Sequence, residues 1–288
     1  MSDTRTLINP AQLNRTVYRV VLVLAVTAFT LAFLGPLYLL VTDGLKSTAE
    51  AIQTPPTFYP HHLEPSNYSD AWNRLNIAQL LLNTLWYAFG ALAFQLVLDV
   101  AAAYSLSKLR PVLGNVVLGM MLATLMIPAM VLVVPQYLTV LDLPLVHLNL
   151  LNSPWAIWLP SVANAFNIYL LKRFFDSVPQ ELLDSASMDG AGPMRTLLSI
   201  VLPMSWPIIA VLSVFALVNV WKDFLWPLLA EPDPTKQTLN AGIYSLSLGV
   251  PENVLIAAAA ISAIPTVLFF LIFQRNIMSG LTAGSLKG

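Results

Sequence analysis

No cysteine occurs anywhere in the 288 residues, which removes disulfides, thiolate metal sites and cysteine nucleophiles together. Charge is almost as scarce. Asp, Glu, Lys and Arg make up 10% of the chain, against about 25% in a soluble domain. What charge exists balances to a net −1, so no basic face is available for nucleic acid. The three histidines, His61, His62 and His147, bring no second ligand set at metal spacing, and His61 and His62 read as solvated loop residues. The phosphate-cradling pattern G-x-x-x-x-G-K-[ST] is missing, as are G-x-S-x-G and H-E-x-x-H. What the chain has instead is apolar surface. Hydrophobic residues are 57% of it and the mean hydropathy is +0.71. That leaves too little polar surface to cover a water-soluble globule. The apolar residues fall in long blocks, and a spanning helix needs about 20 of them, so the expectation is an all-α membrane protein.

Six charge-poor blocks are candidate spans. Val20 to Val41 is opened by Arg15 and Arg19 and closed by Asp43. It is longer than the ~7–15-residue apolar region of a signal peptide and lacks a small-residue cleavage site, so it reads as a retained anchor. A Pro-rich polar stretch follows (Pro55, Pro56, Pro60, Pro65). The next blocks are 75–98, with helix continuing past Asp99 to Leu106, then 111–141, 143–171, 196–221 and 253–274. Prolines inside them are tolerated because neighbouring helices meet the freed carbonyls. Cytoplasmic loops are enriched in Lys and Arg. With both termini inside, the inner side holds Arg5, Arg15, Arg19, Lys108, Arg110, Lys172, Arg173, Arg195, Arg275 and Lys287, and the outer side only Lys46, Arg74, Lys222 and Lys236. This bias predicts cytoplasmic N- and C-termini. The division expected is a single transmembrane domain over 1–288: a tail and first helix (1–41), a five-helix core (75–279) with a loop at 177–203, and a tail at 280–288.

The loop between the fourth and fifth blocks is unlike a plain connector. Ser177 with Gln180 has the capping-box spacing, and Pro179 suits a first helical turn. Leu182, Leu183 and Ala186 form a partial apolar stripe amid Glu181, Asp184 and Asp189. Gly190 and Gly192 break the helix, and Pro193 suits the start of another. A helix with apolar residues outside the membrane needs cover. It lies on lipid headgroups or its own bundle, or it docks into a groove on a partner. Its acidic centre disfavours anionic inner-leaflet lipid, so docking fits better.

These residues carry a family resemblance. Asp184-Ser185-Ala186, then three residues, Gly190, nine residues, and Ile200, Leu202 and Pro203 resemble the EAA signature of binding-protein-dependent ABC transporter permeases, with Asp for Glu and Ser for the first Ala. The similarity extends along most of the chain and looks closest to carbohydrate-uptake permeases, similar to the maltose-transporter inner-membrane subunit. Gly44-Leu45-Lys46 resembles that family's Ser-Leu-Lys, Asn83-Thr84 its Asn-Ser, and Ala102-Ala103-Tyr104-Ser105-Leu106-Ser107-Lys108 its Ala-Ala-Tyr-Ala-Leu-Ala-Arg. Trp221-Lys222-Asp223-Phe224-Leu225-Trp226-Pro227 resembles Trp-Asn-Asp-Phe-Leu-Trp-Pro, with Lys222 where Asn is usual. The tail from Gly280 to Gly288 resembles Gly-Leu-Thr-Ala-Gly-Ala-Val-Lys-Gly.

The resemblance implies a non-catalytic permease subunit in the cytoplasmic membrane of a bacterium or archaeon, without a cofactor of its own. It implies a second permease as heterodimer partner, two ATP-binding subunits that hold ATP and Mg, and an external solute-binding protein. A sugar is the expected cargo, with a polyol or glycerophosphate-type solute as the alternative. The coupling helix to the ATPases is then Glu181, Asp184, Ser185, Ala186, Met188, Asp189, Gly190 and Ala191. From the residues themselves, Asn83, Gln136, Asn164 and Asn219 are polar positions inside spans that suit either sugar hydroxyls or interhelical bonds. Asp99 is the one carboxylate well within a span, a functional candidate by depth. Trp72, Trp155, Trp221 and Trp226 fall near span ends, where aromatic belts place them. A secondary transporter would show repeated halves, and no clear internal repeat is visible.

Overall fold

The computed structural model describes residues 15–283, the side chains of Thr16 and of 275–283 excepted. Arg5 and Lys287, and the tail pattern from Gly284 onward, lie outside the described residues. Within them every regular element is helical, apart from one antiparallel bridge between Leu143 and Leu148. Packing divides the chain into two units, residues 1–73 with 249–261 and residues 74–248 with 262–288.

The first unit contains α1 (Arg15–Asp43), α2 (Thr48–Ala51) and most of α3 (Ser66–Arg74). No residue in the most apolar window of α1 is buried. A helix apolar on all sides is a membrane span or an internal helix of a larger assembly. Past its end the chain turns through Gly44-Leu45-Lys46 into a polar knot. Asn67 Nδ2 donates to the carbonyls of Gly44 (3.1 Å) and Lys46 (2.8 Å), and Asn253 Nδ2 donates to Asn67 Oδ1 (3.0 Å). Lys46, 1% exposed, pairs with Asp43 and donates to the Thr57 carbonyl. His61 and His62 are exposed outside any helix, as expected; the His61 backbone N–H donates to Glu50 (3.0 Å) and its ring meets Tyr59 edge to face.

The second unit is organised around α4 (Ile77–Tyr104), which continues through a π turn at Ser105–Leu109. After it come α5 (Gly114–Thr124), α6 (Ala129–Leu141), α7 (Pro154–Ser161), α8 (Ala165–Asp176) and α9 (Gln180–Met188). Then α10 (Pro193–Thr196) runs through a second π turn (Leu197–Val201) into α11 (Leu202–Lys222), followed by α12 (Leu225–Ala230) and α13 (Leu239–Ser245). The last helix, α14 (Glu252–Ala283), contributes to both units.

Helix α4 packs on α7, α8 and α11. Two apolar clusters lie along it, one around Val100, Ala103 and Tyr104 and the other around Tyr87 and Ala91.

Six spans are expected from the sequence, and two of those blocks are not single helices. Val17–Asp43, Ile77–Leu109, Pro193–Lys222 and Glu252–Gln274 are each long and apolar enough to cross a membrane. The third block is α5 and α6, bent by 106°, with Pro128 as the N-cap of α6. The fourth, 143–171, is a loop followed by the short helices α7 and α8. Pro160 explains part of this. Its ring excludes the regular bond to the carbonyl four residues back, and that carbonyl, of Ala156, instead accepts the Trp226 indole N–H at 2.9 Å.

Helices α4 and α7 approach closely at one glycine. Trp158 lies across Gly90, and its indole N–H donates to the Tyr87 carbonyl at 3.2 Å. A Cβ at Gly90 overlaps the Trp158 ring, whereas a Cβ at Gly119 meets nothing within 4 Å. Gly90→Ala therefore lowers stability by about 1–3 kcal/mol through overpacking. Gly119→Ala, on the same helical backbone background, does not lower it. Denaturant unfolding of the solubilised protein measures both.

Candidate functional site

The loop at 177–203 forms the helix that its residues foreshadow, with one change at the start. Ser177 closes α8, its hydroxyl donating to the Phe174 carbonyl at 2.6 Å, and the N-cap of α9 is Pro179 without a side-chain cap. The expected capping box is therefore not formed. Ser177 is already committed to the preceding helix, and Gln180 turns instead to Asp184 (3.0 Å). The C-terminus is a Schellman motif. Ala191 N–H donates to the Ala186 carbonyl (2.9 Å) and Gly190 N–H to that of Ser187 (3.0 Å). Gly190 has φ +78°, a conformation that costs an L-residue about 1–2 kcal/mol.

A helix of nine residues does not persist alone in water, so its surroundings hold α9. Leu183 is its one buried side chain, in the cluster with Val178, Leu197, Phe175 and Tyr104. The remaining apolar side chains face outward: Leu182 is half-exposed and Met188 87% exposed. Glu181, Asp184, Ser185 and Asp189 are exposed around them, with Ala186 and Ala191 half-buried. Ser185 spends its hydroxyl on the Glu181 carbonyl (2.8 Å). The Ser in place of Ala thus makes no outward-directed donor.

The loop is gripped at both ends by α4 and its π turn. At the start, Lys108 Nζ donates to the Val178 carbonyl (3.2 Å). Beside it Asp176 accepts from Ser107 (2.7 Å) and Lys172 (2.8 Å). Burial pushes the Asp176 carboxyl up, but hydrogen bonds from Lys172 and Ser107 outweigh it and hold the acid below its usual value. At the far end, Tyr104 Oη donates to the Pro193 carbonyl at 3.0 Å. From Pro193, where a helix was expected to start, the chain runs as one helical stretch to Lys222, covering the fifth block expected at 196–221. Pro203 excludes the regular bond four residues back, and the π turn at Leu197–Val201 precedes it.

The polar positions expected along a pathway separate in the structure. Asn83 is fully engaged, donating to the Thr235 (2.8 Å) and Gln237 (3.0 Å) carbonyls and accepting from Gln79 (2.8 Å). Asn164 is the N-cap of α8, its side chain accepting from the Phe166 and Asn167 N–H groups. Asp99 is 1% exposed and accepts the Asn164 N–H at 2.9 Å, with Gln95 and Asn167 adjoining it. A carboxylate at a helix N-terminus is a favourable arrangement of charge, and here it stabilises the break between α7 and α8. Gln136 lines a cavity of about 370 Å³ with Ser161, Asp223, Met130 and Trp226. Asn219 is exposed one turn before Asp223, whose N–H its carbonyl accepts. Asp223 itself accepts the Phe224 and Trp226 N–H groups at the start of α12. Trp221 and Trp226, expected in an interfacial belt, are instead buried. The carbonyls freed by helix breaks and the packing against Phe269 place them inside. Trp72 and Trp155 remain half-exposed.

Lys108, Tyr104 and Asp176 were not singled out from the sequence, although two of them stand in the 102–108 motif. Lys108 and Tyr104 reach distant backbone carbonyls and Asp176 reaches Ser107, none of which leaves a local signal; only the i,i+4 spacing of Lys172 and Asp176 could have pointed to the acid.

Comparison with known proteins agrees with this geometry. Residues 100–282 match the family described as the binding-protein-dependent transport system inner membrane component. The chain is 31% identical over 259 residues to the sulfoquinovosyl glycerol transport system permease protein of Agrobacterium fabrum, covering 88% of this chain and 89% of that one. It is 32% identical over 261 residues to the sn-glycerol-3-phosphate transport system permease protein of Yersinia pestis, covering 87% and 91%. It is 29% identical to the diacetylchitobiose uptake system permease protein of Streptomyces coelicolor, covering 88% and 83%. Its fold matches a chain of a bacterial ABC transporter that imports the polysaccharide alginate, with a TM-score of 0.78 at 23% identity over 91% of this chain and 98% of that one. The chain, with its clamped helix over Gln180–Met188 and its broken spans, belongs to the inner-membrane components of binding-protein-dependent transport systems, the permeases of ABC importers.

Proposed function

We propose that this chain is one of two permease halves in an ATP-driven importer of the bacterial or archaeal cytoplasmic membrane, and that α9 and Gly190 form the face on which an ATPase subunit acts. The observation that carries this reading is α9 itself. It presents Leu182 and Met188 outward, yet the loop that carries it is held on either side of the helix, at Val178 and Pro193, by hydrogen bonds from Lys108 and Tyr104. A force applied to such a helix is transmitted to α4 rather than absorbed by a loose loop. Nucleotide binding favours one permease state only through contacts that differ between states, and this face supplies them. The second permease, two ATP-binding subunits carrying ATP and Mg, and an external solute-binding protein complete the machine. Both termini of this chain lie in the cytoplasm.

The cargo we infer is a sugar or a glycerol-phosphate-type solute. Support comes from the solutes for which the relatives are named: a sulfoquinovosyl glycerol, sn-glycerol-3-phosphate and diacetylchitobiose. Gln136, which lines the cavity with Ser161 and Asp223, is the pathway contact we favour, and Asn219 adjoins Val220 of that lining in sequence. Asn83 and Asn164 have their side chains committed to other parts of the chain and serve the scaffold. Lys222 and Asp223 give this stretch one charge of each sign, compatible with either class of solute.

Two outcomes follow. Affinity purification of the tagged chain recovers ATP-binding subunits, and mass spectrometry of the co-purified binding protein yields a carbohydrate or glycerol-phosphate ligand; solute uptake by vesicles containing this chain without any ATPase overturns the reading. Gly190→Val strains the Schellman turn and lowers solute moved per ATP hydrolysed in the assembled complex. The size expected for a coupling free energy of this kind is about 5–150-fold. Gly192→Ala, at an ordinary φ of −75° and with no atom within 4 Å of the new Cβ, leaves that ratio unchanged.

A further inference from the structure

Glu231 ends α12, its N–H donating to the Pro227 carbonyl at 2.9 Å. Its side chain is 0% exposed, and among the described residues neither carboxyl oxygen has a hydrogen-bond partner. Gln237 Oε1 and Thr238 Oγ1, farther along the same segment, are also buried without partners. Of these only the Thr238 hydroxyl could donate, and it makes no hydrogen bond to Glu231; the Gln237 oxygen, like the carboxylate, only accepts.

The segment that carries them is tied down along its length. Asn152 N–H donates to the Ala230 carbonyl (2.8 Å), and Asn152 Oδ1 accepts from the Asp233 N–H (3.3 Å). Asn83 Nδ2 holds the carbonyls of Thr235 and Gln237, and Leu239 N–H donates to Thr84 Oγ1 (2.8 Å). Among the described residues no cation forms an ion pair with Glu231; Lys236 acts on it only from a distance. Lys236 directs its ammonium to the Asn152 carbonyl (2.9 Å), and Asp233 is turned onto Thr235 (2.8 Å). Tyr87 faces it from α4, and residues 149–153 and α7 bring no charged side chain.

A buried charge without partners is strongly unfavourable, and such a group neutralises instead. We propose that Glu231 is a neutral acid in this arrangement and that residues 231–238 form a proton-operated latch, closed on Asn83, Thr84 and Asn152 while the proton is bound and released when it leaves. Burial pushes the Glu231 carboxyl from 4.5 up to about 7, with Lys236 pulling down and Asp233 pushing up. The sign follows. The closed segment binds the proton more tightly than the open one, so closure is most stable below the open-state value. It weakens as pH rises through the interval from 4.5 to about 7 and is constant above it.

Hydrogen–deuterium exchange on the full chain in its assembled complex, corrected for intrinsic rates, tests this on the amides of 231–239. Protection in the wild type falls by up to about tenfold per pH unit across that interval, as expected for one linked proton. Glu231→Gln, which is neutral at every pH, removes the slope while Asp233→Asn keeps it. Infrared difference spectra of wild type against Glu231→Gln at mildly acid pH contain a protonated carboxyl band. A pH profile shared by wild type and Glu231→Gln overturns the proposal, and so does the absence of that band. Restoration of protection above neutral pH by sodium or calcium also overturns it, because the oxygens then hold a cation and not a proton. Should Glu231→Gln fail to assemble, a flat wild-type profile is enough to overturn it.

Discussion

A helix interrupted at membrane depth leaves amide and carbonyl groups that lipid cannot satisfy, and each unmet group costs several kcal/mol. This protein answers that constraint with side chains reaching from one helix to the backbone of another. Trp226 takes the carbonyl freed by Pro160, Trp158 reaches the Tyr87 carbonyl, and Asp99 accepts the N–H of Asn164 where α8 begins. The fold can therefore break between α7 and α8 while meeting the backbone groups that the break frees. Those breaks create the concave surface around Gln136, which a bundle of unbroken helices would not have.

Helix α4 links the two ends of the second unit. One end, with its π turn, holds both the start and the finish of the 177–203 loop, and the other end holds the segment after α12. In the function proposed here, this places the ATPase-facing helix and the proton-bearing segment on one continuous element. A helix 33 residues long including its π turn is stiff compared with the loops it grips. Movement of α9 therefore need not pass through flexible chain.

Much of this was legible from residue order. The Gly190 turn and the helix from Pro193 follow from local chemistry, since a φ of +78° suits Gly and a first turn suits Pro. The start of α9 was not legible. Ser177 has the right spacing for a capping box, but the same hydroxyl can close the preceding helix, and only the path of the chain decides which carbonyl it meets. Asn83 and Asn164 show the same limit. An amide inside an apolar block is a plausible sugar contact by type, yet here both are consumed by backbone groups, Asn83's some 150 residues away. Trp221 and Trp226 sit at block ends in sequence and in the interior in space, because the chain folds back between α11 and α13.

Composition by itself determined that this chain lives among apolar surroundings, and the spacing from Asp184 to Pro203 determined where its polar, partner-facing helix lies. That an exposed polar helix lies there is a property of residue type and local period, which need no tertiary contact; which partner it meets is the function proposed above. Only the tertiary structure decided which helices break, which side chains meet the freed carbonyls, and that Glu231 is sealed from water with no ion-pair partner among the described residues. Backbone carbonyls are chemically identical at every position, so no sequence pattern identifies the one a distant tyrosine, lysine or tryptophan will reach.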